Sequence, residues 1–179
     1  MVKAGNTDGS IKYLETIVKE HPEEADSYKQ LGIYHRMHNE VDKAIAYYKK
    51  AISLTPNDAE LYFYLGIAYK ASDNKCKAIA CYNKAIELSP KDHRPYVNLG
   101  QIYSDDDEYA KAIKYLNAAL KYSNDCFEAY CNLGSIYYKL DRQDLSYLAY
   151  KEGLRIQTNE AKASSGLSIV LLTHECFDE

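Results

Sequence analysis

The chain has 179 residues, about the size of one domain, with 46% apolar and 27% charged side chains. This balance supplies enough apolar surface for a folded core and excludes a disordered chain. The formal net charge of −4 gives no electrostatic reason to expect nucleic acid or an anionic membrane surface as a partner. With only eight Gly and four Pro, the composition favours helices over a sheet with many tight turns.

The N-terminal residues, Met1 to Ser10, lack the apolar segment of a secretory signal. The aliphatic run Ile169 to Leu172 is too short to cross a bilayer. Five Cys without an export signal favour reduced thiols. We therefore expect a cytoplasmic protein that does not insert into membranes.

A period of 34 residues organises the chain. Glycines recur at this spacing, each preceded by Leu and, one helical turn earlier, by Tyr. Several residue types keep the same register, which chance would not produce. The repeated positions are Tyr28, Leu31, Gly32 and Asn39 in the first unit, Tyr62, Leu65, Gly66 and Asp73 in the second, Tyr96, Leu99, Gly100 and Asp107 in the third, and Tyr130, Leu133, Gly134 and Asp141 in the fourth.

Each unit is predicted to form two helices. In the first helix, Tyr, Leu and Gly share one face. Gly destabilises a helix, so its recurrence predicts that the second helix approaches closely at this position. The Asn or Asp that follows tolerates the left-handed conformation with which helices commonly end. The second helix alternates small and large side chains, such as Ala44 and Tyr48, until Pro56 blocks it. Asn57, Asp58 and Asp92 are predicted to offer caps for the helices that follow.

This pattern resembles the tetratricopeptide repeat, a helix–turn–helix unit of 34 residues. The resemblance covers roughly residues 10 to 172. It implies an all-α fold, a right-handed superhelical solenoid of antiparallel helix pairs. We divide the chain into an incomplete unit with only a second helix, four complete repeats, and a closing helix with a tail: 1–24, 25–58, 59–92, 93–126, 127–160 and 161–179.

The repeat pattern weakens towards the C-terminus. In the fourth unit Ser146 and Gly153 replace the two recurring Ala. The segment behind it is apolar nearly all round, whereas a closing helix of a solenoid is usually polar outside. Either this segment folds over neighbouring leucines, or the leucines form a self-association surface. That surface would contain Leu145, Leu148, Leu167, Val170 and Leu171.

The resemblance also implies a concave groove lined by the first helices, which in this family commonly holds an extended peptide or a helix of a partner. The front of this groove is apolar and the rear is polar but uncharged, so an amphipathic ligand is expected. We expect anchors at Phe63, Tyr64 and Val97. The full set of predicted groove residues is Lys29, Ile33, Arg36, Phe63, Tyr64, Ile67, Lys70, Arg94, Val97, Asn98, Gln101, Asn132, Ser135 and Tyr138.

Two groove asparagines, Asn98 and Asn132, leave two interpretations open. An amide both donates and accepts hydrogen bonds, so it can pair with a peptide backbone whatever the side chains. In this respect the pair resembles the asparagine ladder of O-linked N-acetylglucosamine transferase; alternatively, both side chains only hydrate the groove. The carboxylate clamp of chaperone-binding members fits poorly, because Lys29 and Arg94 match its pattern but Ile33 stands where it requires Asn.

Residues that could carry chemistry favour structural roles. Two Cys pairs are each five residues apart along the sequence, unlike paired zinc ligands. His35 and His38 have no evident third ligand, and the acidic run Asp105–Glu108 lacks the turn glycine of a calcium loop. The sequence contains no nucleotide-binding or catalytic motif. We therefore expect no enzyme activity, no catalytic residue, no metal and no cofactor.

The leading hypothesis is a non-enzymatic adaptor or scaffold that binds a protein or peptide in its groove. One alternative is a scaffold that forms a homo-oligomer through its apolar C-terminal end. A second alternative is a regulatory fragment of a larger enzyme or complex.

Overall fold

The computed structural model describes residues 7–156, which form helices joined by short turns without any strand in that span. None of the helices in the described span is long and apolar enough to cross a membrane. The helices are α1 Thr7–Glu20, α2 Ala25–Met37, α3 Val41–Leu54, α4 Ala59–Ala71, α5 Lys75–Leu88, α6 His93–Asp105, α7 Tyr109–Tyr122, α8 Phe127–Lys139 and α9 Gln143–Ile156.

The chain divides into two compact units, Met1–Pro90 and Lys91–Glu179. In the first unit α2 pairs with α3 and α4 with α5, while α1 packs on α2 and α3 on α4. In the second unit α6 pairs with α7 and α8 with α9, and α7 packs on α8. The helices of each pair are antiparallel because the turn between them is so short. The all-α repeat fold of helix pairs is therefore confirmed.

The turn inside each helix pair has a left-handed residue, as the sequence predicts. Asn39, Asp73, Asp107 and Asp141 have φ of 62°, 57°, 57° and 55°. In each case the next residue donates its backbone N–H to a carbonyl in the last turn of the first helix, as in Asn74 N to Tyr69 O at 2.8 Å. Asn and Asp adopt this conformation at lower cost than other residues with a Cβ atom.

Of the predicted helix caps, Asp58 and Asp92 are confirmed, whereas Asn57 lies in the turn before the N-cap of α4. The carboxylate of Asp58 accepts from the backbone N–H of Glu60 at 2.9 Å, and that of Asp92 accepts from Arg94 at 3.0 Å. Each bond satisfies a backbone donor that has no partner within its helix. The chain thus leaves the turn and enters α4 and α6 at defined residues.

The recurring glycines make the close approach that the sequence predicts. A Cβ atom at Gly32 would lie 2.5 Å from Tyr48, and one at Gly66 would lie 2.6 Å from Tyr82. Both tyrosines are 0% exposed, so their rings fill the space that a side chain would need. Gly100 meets Leu116 in the same way in the third repeat. The core of each pair is therefore built around a glycine of the first helix and a large residue of the second.

The fourth repeat keeps this packing despite its departures from the pattern. Ser146 is 0% exposed, and its hydroxyl donates to the carbonyl of Gly134 at 2.8 Å, which satisfies the polar group that replaces a recurring Ala. Leu145 is half-buried and Leu148 is 55% exposed. The predicted closing helix in 161–179, with Leu167, Val170 and Leu171, lies outside the described residues.

Candidate functional site

In the first unit, the predicted groove residues lie on α2 and α4 and are mostly half-buried. Ile33 and Ile67 occupy equivalent positions on these helices, and both keep partial exposure. Tyr64 stacks on Tyr48, with ring centroids 5.9 Å apart and an angle of 11° between the planes. The unit therefore presents a partly exposed surface of aliphatic and aromatic side chains.

Lys29 is held in place by two carboxylates. Its ammonium Nζ lies 2.9 Å from Asp26 and 3.2 Å from Glu60. The hydrogen bond with Asp26, opposed by partial burial and reinforced by Glu60, raises the pKa of Lys29. Because Glu60 is on α4, this ion pair links the first two helix pairs. Lys29 therefore braces adjacent repeats, a role that the sequence analysis does not anticipate.

Phe63 is 7% exposed and does not form the exposed anchor that the sequence analysis expects. Its ring contacts Tyr82 at a centroid distance of 6.2 Å and Tyr64 at 5.6 Å. Tyr82 belongs to α5, the helix paired with α4, and its ring packs against Phe63. Phe63 is a packing residue in this structure, and we do not retain it as a ligand contact.

In the second unit, Arg94 is bound to the cap of its own helix. Its guanidinium contacts Asp92 at 2.8 Å from Nη2 and 2.9 Å from Nε. Burial opposes ionisation of Asp92, but the hydrogen bonds and charge of Arg94 outweigh it and lower the pKa of this carboxyl. A bidentate pair of this kind is a strong interaction, so ligand binding by Arg94 would compete with the helix cap.

Asn98 and Asn132 occupy equivalent positions on α6 and α8 and are both half-buried. The amide of Asn98 donates to the carbonyl of Arg94 at 3.0 Å, which fixes its side chain along the helix. Gln101 is exposed and Tyr138 is 37% exposed. The face of the second unit therefore carries amide side chains at these positions.

Three further predicted residues have different surroundings. Val97 packs against the core cluster of the second unit, so it contributes only part of its surface to the face. Ser135 lies 2.8 Å from the hydroxyl of Tyr150 and also donates to a backbone carbonyl of its own helix. Lys70 is half-buried on α4. These three half-buried residues pack against their neighbours and contribute only part of their surface to the exposed faces.

A separate apolar surface lies at the end of the second unit. Leu140 is 41% exposed and Leu148 is 55% exposed. An open depression of about 550 Å³ is lined by Tyr109, Ile113 and Leu140, with charged residues of the α6–α7 turn at its rim. The acidic turn there pairs with lysines, since Lys111 contacts Glu108. This depression is not evident from the sequence because its lining comes from the start of α7, the turn before it and the C-cap of α8.

The candidate metal ligands do not converge. In the part of the chain that the structure describes, no group of three or more His, Cys, Asp or Glu side chains could hold a metal ion. His35 instead pairs with Glu40 through Nδ1, and its ring stacks on Tyr47 at 5.1 Å. Burial raises the pKa of Cys81 to about 11, so this thiol is protonated at neutral pH and poorly nucleophilic.

Stacked antiparallel helix pairs with a 34-residue repeat place the chain among the α-helical repeat proteins. The model of the TPR repeat matches residues 38–73 and 77–107. A second model, of the tetratricopeptide repeat, matches residues 93–126 and 127–160. The chain belongs to the tetratricopeptide repeat family. Repeats of this family are typically non-enzymatic interaction modules, and membership supports a role as a protein–protein interaction scaffold.

Solved structures of this family are similar to the chain. A structure of MamA has a TM-score of 0.77 and 27% identity, with 88% of this chain and 92% of that chain covered. PilF of Pseudomonas aeruginosa has a TM-score of 0.78 at 19% identity, with coverage of 84% and 69%. YrrB, described as a TPR protein with an unusual peptide-binding site, has a TM-score of 0.70 at 20% identity, with coverage of 90% and 84%. The curated proteins include no significant match.

Proposed function

We propose that the protein is a non-enzymatic adaptor that binds a peptide or helix of a partner on the faces formed by its first helices. The observation that carries this proposal is the partial exposure of Ile33, Tyr64 and Ile67 on α2 and α4. These side chains lie beside the glycine contact that forms the core of each pair, so apolar surface remains for a ligand. Folded helices present these contacts without an ordering cost on the protein side.

The second unit supplies a different kind of contact. Half-buried amides at Asn98 and Asn132 can donate to and accept from a peptide backbone. Apolar ligand side chains suit the face of the first unit, and ligand backbone groups suit the face of the second. The two faces are tested separately because each belongs to its own unit.

A random peptide library displayed on phage, selected against the purified protein, provides ligands for the test. Affinities of selected peptides are then measured for Ile67→Glu, and for Asn98→Ala combined with Asn132→Ala. A charge in the apolar face, or loss of two amides, should weaken binding by about tenfold or more, equivalent to about 1.4 kcal/mol. Asn117→Ala, an exposed Asn on the second helix α7, is the matched control and should leave affinity unchanged.

Two results would count against this assignment of the faces. Equal affinity of every variant and the wild type would place the ligand elsewhere on the protein. Failure to select any peptide would contradict the adaptor function itself. Thermal unfolding of each variant separates lost contacts from lost structure.

The exposed leucines favour self-assembly as a second candidate function. Leu140 is 41% exposed and Leu148 is 55% exposed, so the apolar surface of both side chains is available to a second copy of the chain. Light scattering over a range of concentrations would detect the oligomer, and Leu148→Glu should reduce its mass. Tyr13→Glu, at another exposed apolar residue in α1, is the control. A concentration-independent monomer would exclude this candidate.

A further inference from the structure

Three buried side-chain polar atoms among the described residues of the first unit have no hydrogen-bond partner: Nε2 of His35, Nε of Arg36 and the hydroxyl of Tyr48. The hydroxyl of Tyr48 and the Nε of Arg36 are both inaccessible to solvent, and neither is satisfied by the residues that the structure describes. Tyr48 as a whole is 0% exposed. Unsatisfied buried donors are uncommon in folded proteins because they lose their bonds to water without replacement.

The two groups are neighbours because of the glycine contact. The ring edge of Tyr48 lies against Gly32, 2.5 Å from where a Cβ atom would be. Arg36 follows Gly32 by one helical turn, so both lie on the same face of α2. Burial raises the pKa of Tyr48 to about 12, while Arg36 acts in the opposite direction, first as a hydrogen-bonding neighbour and then through its positive charge. The guanidinium therefore lies beside the hydroxyl, and only the strict geometry of a hydrogen bond is missing.

The fourth repeat shows how the same hydroxyl is normally satisfied. Tyr150 is the equivalent of Tyr48, and its hydroxyl lies 2.8 Å from the Oγ of Ser135. The residue equivalent to Ser135 in the first repeat is Ile33, which has no polar group. The second repeat also has Ile at this position, Ile67, and the hydroxyl of its Tyr82 is not among the unsatisfied buried atoms. The unsatisfied hydroxyl is therefore a feature of the first repeat that the Ile alone does not explain.

Arg36 also differs from the other cations of this face. Lys29 has Asp26 and Glu60 as counter-ions, whereas no carboxylate within residues 7–156 forms a salt bridge with Arg36. A partly buried guanidinium without a counter-ion is unfavourable, and a bidentate carboxylate is the anion that suits its planar shape. The neighbouring Ile33 and the Tyr64 ring stacked on Tyr48 leave apolar surface beside this charge.

We propose that Arg36 binds the carboxylate of an Asp or Glu side chain within the partner peptide. The ligand is then an acidic residue flanked by apolar residues that contact Ile33 and Tyr64. This inference rests on the proposed adaptor function and names the ligand chemistry of the face in the first unit.

The phage-displayed library tests this proposal, because its peptides are fused at the C-terminus and offer only side-chain carboxylates. The wild type should select peptides with Asp or Glu at one fixed position beside apolar residues. Arg36→Gln should select peptides without this acidic preference. Apolar peptides without a fixed acidic position, bound by both proteins, would overturn the proposal and leave the adaptor function standing. Selection of no peptide by either protein would overturn both.

A selected peptide then permits a double-mutant cycle. Replacing its acidic residue with the amide should weaken binding to the wild type by about tenfold, and have little effect on binding to Arg36→Gln. Additive losses would mean that the two groups do not interact. Unchanged helicity and thermal unfolding of Arg36→Gln, with partial retention of affinity by Arg36→Lys, would exclude a folding defect.

Discussion

Replacement of Gly66 by Ala should destabilise the protein, although Ala is the better helix former. The new Cβ atom would lie 2.6 Å from Cε1 and 2.8 Å from Cδ1 of Tyr82, so the ring or the helix must move by about 1 Å to reach ordinary contact. Tyr82 is 0% exposed, and Phe63 packs against its ring. There is consequently no empty space into which the ring can move.

The magnitude follows from two opposing effects. Overpacking of a filled core costs about 1–3 kcal/mol, and replacing a helical Gly by Ala returns about 0.5–1 kcal/mol. A net loss of about 1 kcal/mol in the free energy of unfolding is therefore expected, with a larger loss for Gly66→Leu. Gly153→Ala is the matched control, since its Cβ atom would be 3.5 Å from the nearest atom, the sulfur of Cys131. It should be neutral or stabilising.

Urea denaturation followed by far-ultraviolet circular dichroism measures the free energy of unfolding of both variants. Because repeat proteins can unfold in stages, the values are compared only if the variants have equal m-values. In a Tyr82→Ala background, Gly66→Ala should lose its penalty and resemble Gly153→Ala. Equal stability of Gly66→Ala and Gly153→Ala in the wild-type background would refute this account of the glycine contact.

Further predictions concern the turns and the buried polar groups. Asp73→Val should lower the free energy of unfolding by about 1–2 kcal/mol, since the φ of 57° disfavours β-branched residues; Asp73→Gly should be tolerated in the same denaturation assay. A hydrogen bond from His35, reinforced by Lys43, lowers the pKa of Glu40, so its stabilisation is present above the unfolded-state pKa and is lost as the pH falls through the folded-state pKa. Glu40→Gln should flatten this acid dependence of the urea midpoint. Burial raises the pKa of Tyr48 from 10.0 to about 12. The contribution of neutral Tyr48 to the free energy of unfolding should therefore be lost as the pH rises between these two values, and tyrosinate absorbance follows the ionisation.

Local sequence and periodicity determined the repeat register, the helix ends and the caps. Asp73 and Asp58 act within a few residues of themselves, so their roles depend on backbone conformation and neighbouring N–H groups alone. The contact of Gly66 with Tyr82 could also be predicted, because both residues recur in the repeat. A period of 34 residues fixes which helix faces meet before any tertiary structure is known.

The tertiary structure decided what each surface position does. Phe63 is buried and Arg94 is bound to Asp92, because the contacts of a side chain depend on the neighbours that folding brings beside it. The hydroxyl of Tyr150 is satisfied by Ser135, a residue on a different helix, whereas the equivalent hydroxyl of Tyr48 has no partner among the described residues. Such pairings vary from repeat to repeat while the backbone pattern stays the same, so the repeat consensus alone does not specify them.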